Sequence, residues 1–215
     1  MKKILCALLA LILVLSLAAC GKTNGTDKPD ATTAANETNG ETAGSTSADT
    51  ETPKSGKTLV VFYSATGSTK SVAEAIASST GADMFEITPE SPYTSDDLNW
   101  SNSNSRVSVE HNDESKRVVP LAKATPDNWS EYDTVYIGYP IWWGIAAWPV
   151  NGFISSNDFS GKTVIPFCTS ASSGLGQSGK LLEQAAGTGN WLEGKRFSSG
   201  ASSAEVEEWV KGLDA

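Results

Sequence analysis

The sequence predicts an α/β domain of three layers, in which helices cover both faces of a doubly wound parallel sheet. The first observation is that short apolar segments alternate with segments of helical periodicity from residue 57 to residue 215. The second is that residues 58–63 read Thr-Leu-Val-Val-Phe-Tyr, an unbroken apolar run typical of a strand buried on both faces. The third is that the β-α units have the length of right-handed crossovers between parallel strands.

Five strands are expected, and four of them are apolar. They are residues 58–63, 84–87, 134–139, 163–168 and 195–197. The last of these is short and charged, which suits a sheet edge. Pro166 fits poorly, because proline has no N–H to donate and its strand should be central.

Helical patterns fill most of the connections. The first helix carries an apolar stripe and is expected to end at Gly81, a second starts after Pro149, and a third follows residue 180. A closing helix begins with capping-box spacing between Ser202 and Glu205. The stripe residues are Val72, Ala73, Ile76 and Ala77, then residues 150–154, then Leu181, Leu182, Ala185 and Ala186, then Val206, Trp209, Val210 and Leu213. Residues 91–129, which we call the polar insert, have no clear period and predict an irregular excursion with short helical turns.

The N-terminus has the features of an export signal. Lys2 and Lys3 precede an apolar run of about fifteen residues, short for a bilayer span, and small residues precede Cys20. Residues 17–21, Leu-Ala-Ala-Cys-Gly, resemble a bacterial lipobox, which implies cleavage after residue 19 and a lipid on Cys20. The alternative is an uncleaved apolar N-terminus with an incidental cysteine.

Residues 20–56 are predicted to be a lipidated, disordered tether, and residues 57–215 the folded domain. The tether is rich in Thr, Asn, Gly, Ala and Glu and lacks aromatic residues, so it cannot offset the entropy cost of ordering. A flexible chain of this length reaches roughly 30 Å. Since Cys6 leaves with the signal and Cys20 takes the lipid, Cys168 is the one thiol of the expected mature chain, which excludes an intramolecular disulfide.

The formal net charge of −9 argues against nucleic acid or anionic lipid as a ligand. An acidic surface suits a partner protein with a basic docking surface, and it also promotes solubility alone.

In an open α/β sheet, ligands bind outside the carboxyl ends of the strands. The loop after the first strand combines hydroxyl groups and a glycine with a helix N-terminus, which is what a phosphate needs. Its residues are Ser64, Ala65, Thr66, Gly67, Ser68 and Thr69. The alternative is ordinary turn and capping chemistry, because these residue types favour helix starts in any case.

The loops after the third and fourth strands are also unusual. The first of these contains adjacent tryptophans, which cannot share one face, so at least one should project as a flat surface for a ring system; its residues are Tyr139, Pro140, Ile141, Trp142, Trp143 and Gly144. Alternatively, both tryptophans pack under the next helix or form a protein interface. The other loop is small and hydroxyl-rich and allows close backbone approach to a ligand; its residues are Thr169, Ser170, Ala171, Ser172, Ser173 and Gly174.

Together the three loops resemble those of the flavodoxin family, in particular its short bacterial group. The resemblance runs from residue 57 to residue 213 and implies the strand order 2-1-3-4-5 and FMN as cofactor. It also implies that the phosphate lies on residues 64–69, the isoalloxazine against residues 141–144 and its polar edge near residues 169–174. The polar insert and Lys70 depart from the family pattern.

Two other motifs in the sequence suggest different ligands. Gly174, Gly176 and Gly179 have dinucleotide-fingerprint spacing, but they follow a late strand and no acidic residue comes about twenty positions later. With Lys180 they nearly form a Walker A loop, yet Leu181 stands where Ser or Thr should hold Mg²⁺. The single histidine, His111, is expected to be a solvated loop residue, and Cys168 a small buried apolar side chain.

We therefore expect an FMN electron carrier, or the FMN domain of a small reductase, anchored by lipid at the outer face of a bacterial membrane. No metal site and no separate catalytic acid, base or nucleophile is expected. The alternative is a non-redox module of the same fold that binds a protein or glycan through the two tryptophans.

Overall fold

The computed structural model of the protein describes residues 56–213. The predicted signal peptide, Cys20 and all but the last residue of the predicted tether lie outside the described residues. The strands are β1 (Lys57–Phe62), β2 (Asp83–Glu86), β3 (Tyr132–Trp142), β4 (Ile145–Ala146), β5 (Thr163–Thr169), β6 (Asn190–Trp191) and β7 (Lys195–Phe197).

The helices are α1 (Ser68–Thr80), α2 (Arg106–Asn112), α3 (Pro149–Ser156), α4 (Ser178–Ala186) and α5 (Ser203–Leu213). One 3-10 turn, Glu114–Arg117, lies in the polar insert, and a second, Trp129–Glu131, begins at the last residue of the insert. Gly81 ends α1 in the left-handed conformation, as expected, and Ser202 Oγ accepts the Glu205 N–H at 3.3 Å before α5. Within residues 56–213, no helix combines the length and apolar character needed to cross a bilayer.

The main sheet is parallel and runs β2-β1-β3-β5. Strands β6 and β7 both pair with the outer edge of β5, one after the other along its length. This order confirms the predicted 2-1-3-4-5, in which the fourth and fifth predicted strands are β5 and β7. The small strand β4 pairs antiparallel with the end of β3 and was not predicted.

Each face of the sheet carries its own buried cluster, because successive side chains of a strand point to opposite faces. Val60 and Phe62 of β1 pack on one face with α1 and α5, whereas Leu59 and Val61 pack on the other with α3 and α4. These two clusters form the interfaces between the sheet and the two helical layers that cover it. In α4 half of the predicted stripe was right: Leu182 is buried and Ala186 packs against the core, whereas Leu181 and Ala185 are exposed.

The edge strand is interrupted beside Pro166. Val164 O accepts the Leu192 N–H at 2.9 Å, and Pro166, two residues further along β5, turns its backbone to the same side without a donor. The pairing with β5 resumes at Lys195 with one extra residue on the edge strand. Gly194 lies against this gap, where a Cβ would come within 2.4 Å of Pro166 O. The neighbouring edge strand is thus divided into β6 and β7 on either side of Pro166. This division explains how a proline can lie in a central strand.

Candidate functional site

The three predicted loops meet at the carboxyl edge of the sheet. The hydroxyl groups of Thr69 and Thr169 are 2.8 Å apart and buried, which joins the first loop to the third. The third loop also approaches the second, since a Cβ on Gly176 would lie 3.9 Å from Gly144 O. The described residues therefore bring the three loops together at one edge of the sheet.

The first loop turns into α1 at Gly67, which has a φ of 95° and open space where a Cβ would lie. Ser64 Oγ accepts the N–H groups of Gly67 at 3.1 Å and Lys70 at 3.2 Å. Thr66 is exposed and Ser68 half-buried, whereas Ala65 packs against the core.

The electrostatics of this loop favour an anion. The first turn of α1 has no acidic side chain and no side-chain cap, so the positive end of the helix dipole is not neutralised there. Lys70, which departs from the family pattern, points to Glu86 with a 3.1 Å contact between two half-exposed side chains. The hydroxyl and N–H groups of the loop, rather than this lysine, are therefore the donors available to an anion.

The second loop is a two-residue β-hairpin between β3 and β4. Trp142 pairs with Ile145, and the intervening Trp143 and Gly144 have φ angles of 46° and 83°. Positive φ at both central residues is the property of a type I′ turn, where Asn and Gly are usual. A tryptophan in the left-handed conformation costs about 1–2 kcal/mol relative to its ordinary backbone conformation.

The two tryptophans take different environments, as their adjacency predicts. Trp142 contacts Tyr63, Tyr93 and Trp148 edge-on, with ring centroids 5.7, 5.2 and 5.4 Å away. Trp143 projects from the hairpin and is 43% exposed. Tyr139 is fully buried and its hydroxyl lies 3.1 Å from Ser178 Oγ, so its side chain belongs to the core beneath the loop. Burial raises the pKa of Tyr139, which keeps its phenol neutral.

The polar insert packs against this hairpin. The His111 ring stacks on Trp143, with centroids 4.3 Å apart and planes 9° apart, and Trp143 is also nearly parallel to Trp148 at 6.1 Å. The expectation that His111 is a solvated loop residue was therefore wrong: it lies in α2 and is partly buried. Sequence periodicity gave no signal for it, because a seven-residue helix is too short to show one.

The insert is held by a buried carboxylate. Glu110 is 5% exposed and accepts the Tyr93 hydroxyl at 2.7 Å and Arg106 Nε at 2.8 Å. The Arg106 guanidinium also lies 3.8 Å from the centre of the Tyr93 ring. Burial and the bond to Glu110 raise the pKa of Tyr93, so its phenol acts as a donor.

The third loop is fixed from outside by Arg196 of β7. Its Nη2 donates to Ser170 O at 2.8 Å and Ala171 O at 2.9 Å, and its Nε donates to Ser170 Oγ at 3.1 Å. Ser170 Oγ further donates to Ser173 O. Ala171, Ser172, Ser173 and Gly174 are exposed, whereas the Thr169 side chain is buried. Sequence reasoning missed Arg196; its position at the end of the last strand, on the same sheet edge as the loops, was the available signal.

Cys168 precedes this loop and is completely buried. Burial raises the pKa of its thiol to about 12, with a smaller opposing effect of Arg196. The thiol is therefore protonated at neutral pH and behaves as the small apolar side chain that was predicted.

Two cavities adjoin the loops. A groove of about 240 Å³ lies between the insert and the hairpin and is lined by Leu98, Trp100, Val107, Ile141, Trp142 and Trp143. A cleft of about 400 Å³ lies beside α4 and the split edge strand, where Gly176, Gly179 and Lys180 of the glycine-rich motif contribute to its wall. That motif follows β5 and not β1, which agrees with a glycine-rich helix entry.

Among residues 56–213, no cluster of His, Cys, Asp and Glu side chains is suited to a metal ion.

The donor set fits a flavin mononucleotide. The first loop offers hydroxyl and N–H donors to a phosphate, the hairpin offers a flat indole, and the third loop offers exposed backbone to a polar ring edge. Lys70, the basic residue next to the first loop, points to Glu86, so a phosphate there would be held by neutral donors and the helix dipole.

Comparison with known proteins agrees with this fold. The structures include a protein provisionally described as a flavoprotein from Bacteroides uniformis, 44% identical over 73% of this chain and 98% of its own, with a TM-score of 0.67. A similarly described flavoprotein from Bacteroides eggerthii is 39% identical over 74% of this chain and 99% of its own, with a TM-score of 0.66.

A flavoprotein from Lactobacillus acidophilus, solved in complex with FMN, is 23% identical over 72% of this chain and 98% of its own, with a TM-score of 0.52, and shares the fold. No curated protein matches the sequence. The sequence profile of the flavodoxin family matches residues 57–213. This chain belongs to the flavodoxin family.

Proposed function

We propose that the domain binds FMN across its three loops and transfers electrons, as a carrier or as the FMN domain of a small reductase. The observation that carries this proposal is the meeting of an unneutralised helix N-terminus, a projecting indole and a clamped polar loop at one sheet edge. Family membership and the FMN complex of the Lactobacillus relative support FMN as the cofactor.

FMN supplies reversible electron uptake, and the protein supplies binding, access and electrostatics. Thr66 and Ser68 would hold the phosphate at the start of α1, and Gly67, whose N–H goes to Ser64, would leave space for it. Ser64 already orders the turn by accepting two of its N–H groups, so the loop is shaped before a ligand arrives. This preorganisation lowers the entropy cost of binding.

The hairpin would supply the stacking surface for the isoalloxazine. Trp142 is locked edge-on among Tyr63, Tyr93 and Trp148, so Trp143 is the tryptophan with an exposed ring. The third loop would face the polar ring edge. Arg196 occupies two of its carbonyls and thereby fixes the direction of the remaining backbone groups.

The acidic surface would influence both the redox potential of the flavin and the choice of redox partner. With a net charge of −9, the protein disfavours an additional negative charge near its surface, including that of a reduced cofactor. The same charge favours a redox partner with a basic docking surface, attracted most strongly at low ionic strength.

The place of action would be the outer face of a bacterial membrane. Lys2, Lys3, the following apolar run and Cys20 support export and lipid attachment. Cys20→Ala is expected to abolish incorporation of labelled fatty acid and to leave residues 1–19 uncleaved. Labelling of the variant to the wild-type level would refute lipid attachment at this cysteine.

The cofactor is tested with the chain lacking residues 1–20. An absorbance spectrum of the purified protein, followed by FMN titration of the stripped protein, should show stoichiometric binding with quenched flavin fluorescence. Trp143→Ala should weaken FMN binding by about tenfold, in line with stacking energies of about 1–3 kcal/mol per ring. Trp209→Ala, on the opposite face of the sheet, is the matched control.

Unchanged affinity in both Trp142→Ala and Trp143→Ala would remove the hairpin from the flavin site. A stable domain with no affinity for FMN would favour the alternative, a non-redox module. The exposed Trp100 and Trp143 beside the apolar groove are the feature that such a module would use for a protein or glycan.

A further inference from the structure

The Trp143 indole is held by groups outside its own hairpin. Trp143 has a φ of 46°, in the left-handed region that bulky residues seldom occupy, and 43% of its surface is exposed. An exposed side chain on a two-residue turn has several rotamers available unless a neighbour selects one. The orientation of this indole therefore needs an external support.

His111 is in the position to give that support. Its imidazole lies nearly parallel to the Trp143 ring, 9° apart in plane and 4.3 Å in centroid separation. His111 Nδ1 is buried and has no hydrogen-bond partner among residues 56–213. A buried imidazole nitrogen without a partner costs free energy, so the histidine is not placed there to hydrogen-bond through that atom. Its ring face makes the contact.

The backbone of His111 is itself fixed. Arg117 Nη2 donates to His111 O at 2.6 Å and Arg117 Nε donates to Glu110 O at 2.9 Å. The same guanidinium lies 4.7 Å from the centre of the Trp148 ring, which flanks Trp143 as well. One arginine thus connects the end of α2 to the aromatic group around the hairpin.

We infer that His111 is a positioning residue that orients the Trp143 ring for the flavin, and that the polar insert serves to hold His111. The inference rests on the proposed FMN site. It assigns a role to the insert, which interrupts the β-α alternation of the sequence and otherwise adds no strand to the sheet.

The test compares His111→Phe, which keeps a flat ring, with His111→Leu and His111→Ala, which do not. The protein is the chain without residues 1–20, and the readouts are FMN affinity and acrylamide quenching of tryptophan fluorescence. His111→Ala and His111→Leu should weaken FMN binding about two- to tenfold, the range of an aromatic pair, and increase quenching of the apoprotein. His111→Phe should keep FMN affinity and quenching near the wild-type values. Asn112→Ala, exposed on the same helix, should change neither quantity.

A double-mutant cycle identifies the route of the effect. If His111 acts through Trp143, His111→Ala should have no further effect on FMN affinity in a Trp143→Ala background. Equal losses in both backgrounds, or wild-type affinity in His111→Ala, would overturn the inference.

The quenching readout does not depend on the cofactor. If the wild-type protein failed to bind FMN, the proposed function would fall, while the stacking role would still be decided by the apoprotein. Identical quenching in the wild type, His111→Phe and His111→Leu would then refute it.

Discussion

The two faces of the sheet are closed in different ways. The longest helices, α1 with 13 residues and α5 with 11, cover one face, and a single partly buried aromatic ring, Trp209, lies at its border. The other face has α3 and α4, of 8 and 9 residues, and its border holds five such rings: Phe85, Tyr93, Trp129, Trp142 and Trp191. Where helices are too short to cover a sheet, large rings and the polar insert complete the closure.

This difference separates scaffold from site. The α1/α5 face is built from regular periodicity and presents few irregular contacts. The α3/α4 face ends in the hairpin, the insert and the grooves, where a ligand can enter. If the two faces are independent, a substitution on one face should leave the other intact.

Removal of the Phe153 ring should destabilise the α3/α4 face. Phe153 is fully buried and contacts Phe85, Trp129 and Phe159 at centroid distances of 5.8, 5.7 and 6.2 Å. Phe153→Ala should lower the free energy of unfolding by about 3–5 kcal/mol, because a cavity is left behind. Phe153→Leu, measured in the same urea titration, should lose considerably less. Equal losses would show that ring packing does not support this face.

Removal of the buried Glu110 carboxylate should destabilise the polar insert without affecting the α1/α5 face. Glu110→Ala leaves Tyr93 and Arg106 without their partner and should cost about 1–3 kcal/mol of unfolding free energy. Glu114→Ala removes an ion pair whose acidic side chain is 82% exposed, and it should cost at most about 1 kcal/mol. Hydrogen exchange should quicken in the insert but not in α1 or α5; acceleration in those helices would show that the faces unfold together.

The bond between Thr69 and Thr169 joins α1 to the third loop, across the boundary of the two regions. Thr69→Val leaves one buried hydroxyl unpaired and should cost about 1 kcal/mol of unfolding free energy. The double variant, with Thr169→Val as well, should recover part of that loss in a thermal or urea melt. A double variant as unstable as the sum of the two single variants would mean that the hydroxyl pair contributes nothing.

Acid should destabilise the insert through two capping carboxylates. The Asp97 carboxylate accepts the backbone N–H and hydroxyl of Thr94, and these bonds lower its pKa; the Ser115 hydroxyl and N–H lower the pKa of Asp113. A lowered folded pKa gives stability that is present above the unfolded pKa of about 4 and is lost as pH falls through the folded value. The free energy of unfolding, measured by urea titration, should therefore fall between pH 5 and pH 2, and Asp97→Asn should reduce that fall. An equal fall in the variant would show that Asp97 contributes nothing to the pH dependence.

The scaffold could be predicted from sequence because its signals are local. The apolar run of β1, the stripe of α1 and the spacing of Ser202 and Glu205 each reflect neighbours a few residues apart. The positions of the three ligand loops followed from the parallel topology. The misfit of Pro166 was visible too, although its accommodation by a split edge strand was not.

The details of the site depend on contacts between distant parts of the chain. His111 meets Trp143, 32 positions later, and Arg196 reaches back to Ser170; neither pair has a pattern in sequence. The type I′ turn was also hidden, because Trp143 is not a residue that such turns favour. Aromatic and ionic contacts of this kind are fixed only when the folded sheet brings the loops together.

The two edges of the sheet affect how readily neighbouring molecules could pair through their strands at high concentration. β2 has four residues, and the opposite edge is divided by the gap at Pro166 into strands of two and three. β2 carries Asp83 and Glu86, and β7 carries Lys195 and Arg196. Strand addition between molecules requires a long, flat row of unpaired N–H and C=O groups, and short charged edges do not offer one. The fold thus resists intermolecular β-aggregation even when molecules are crowded side by side.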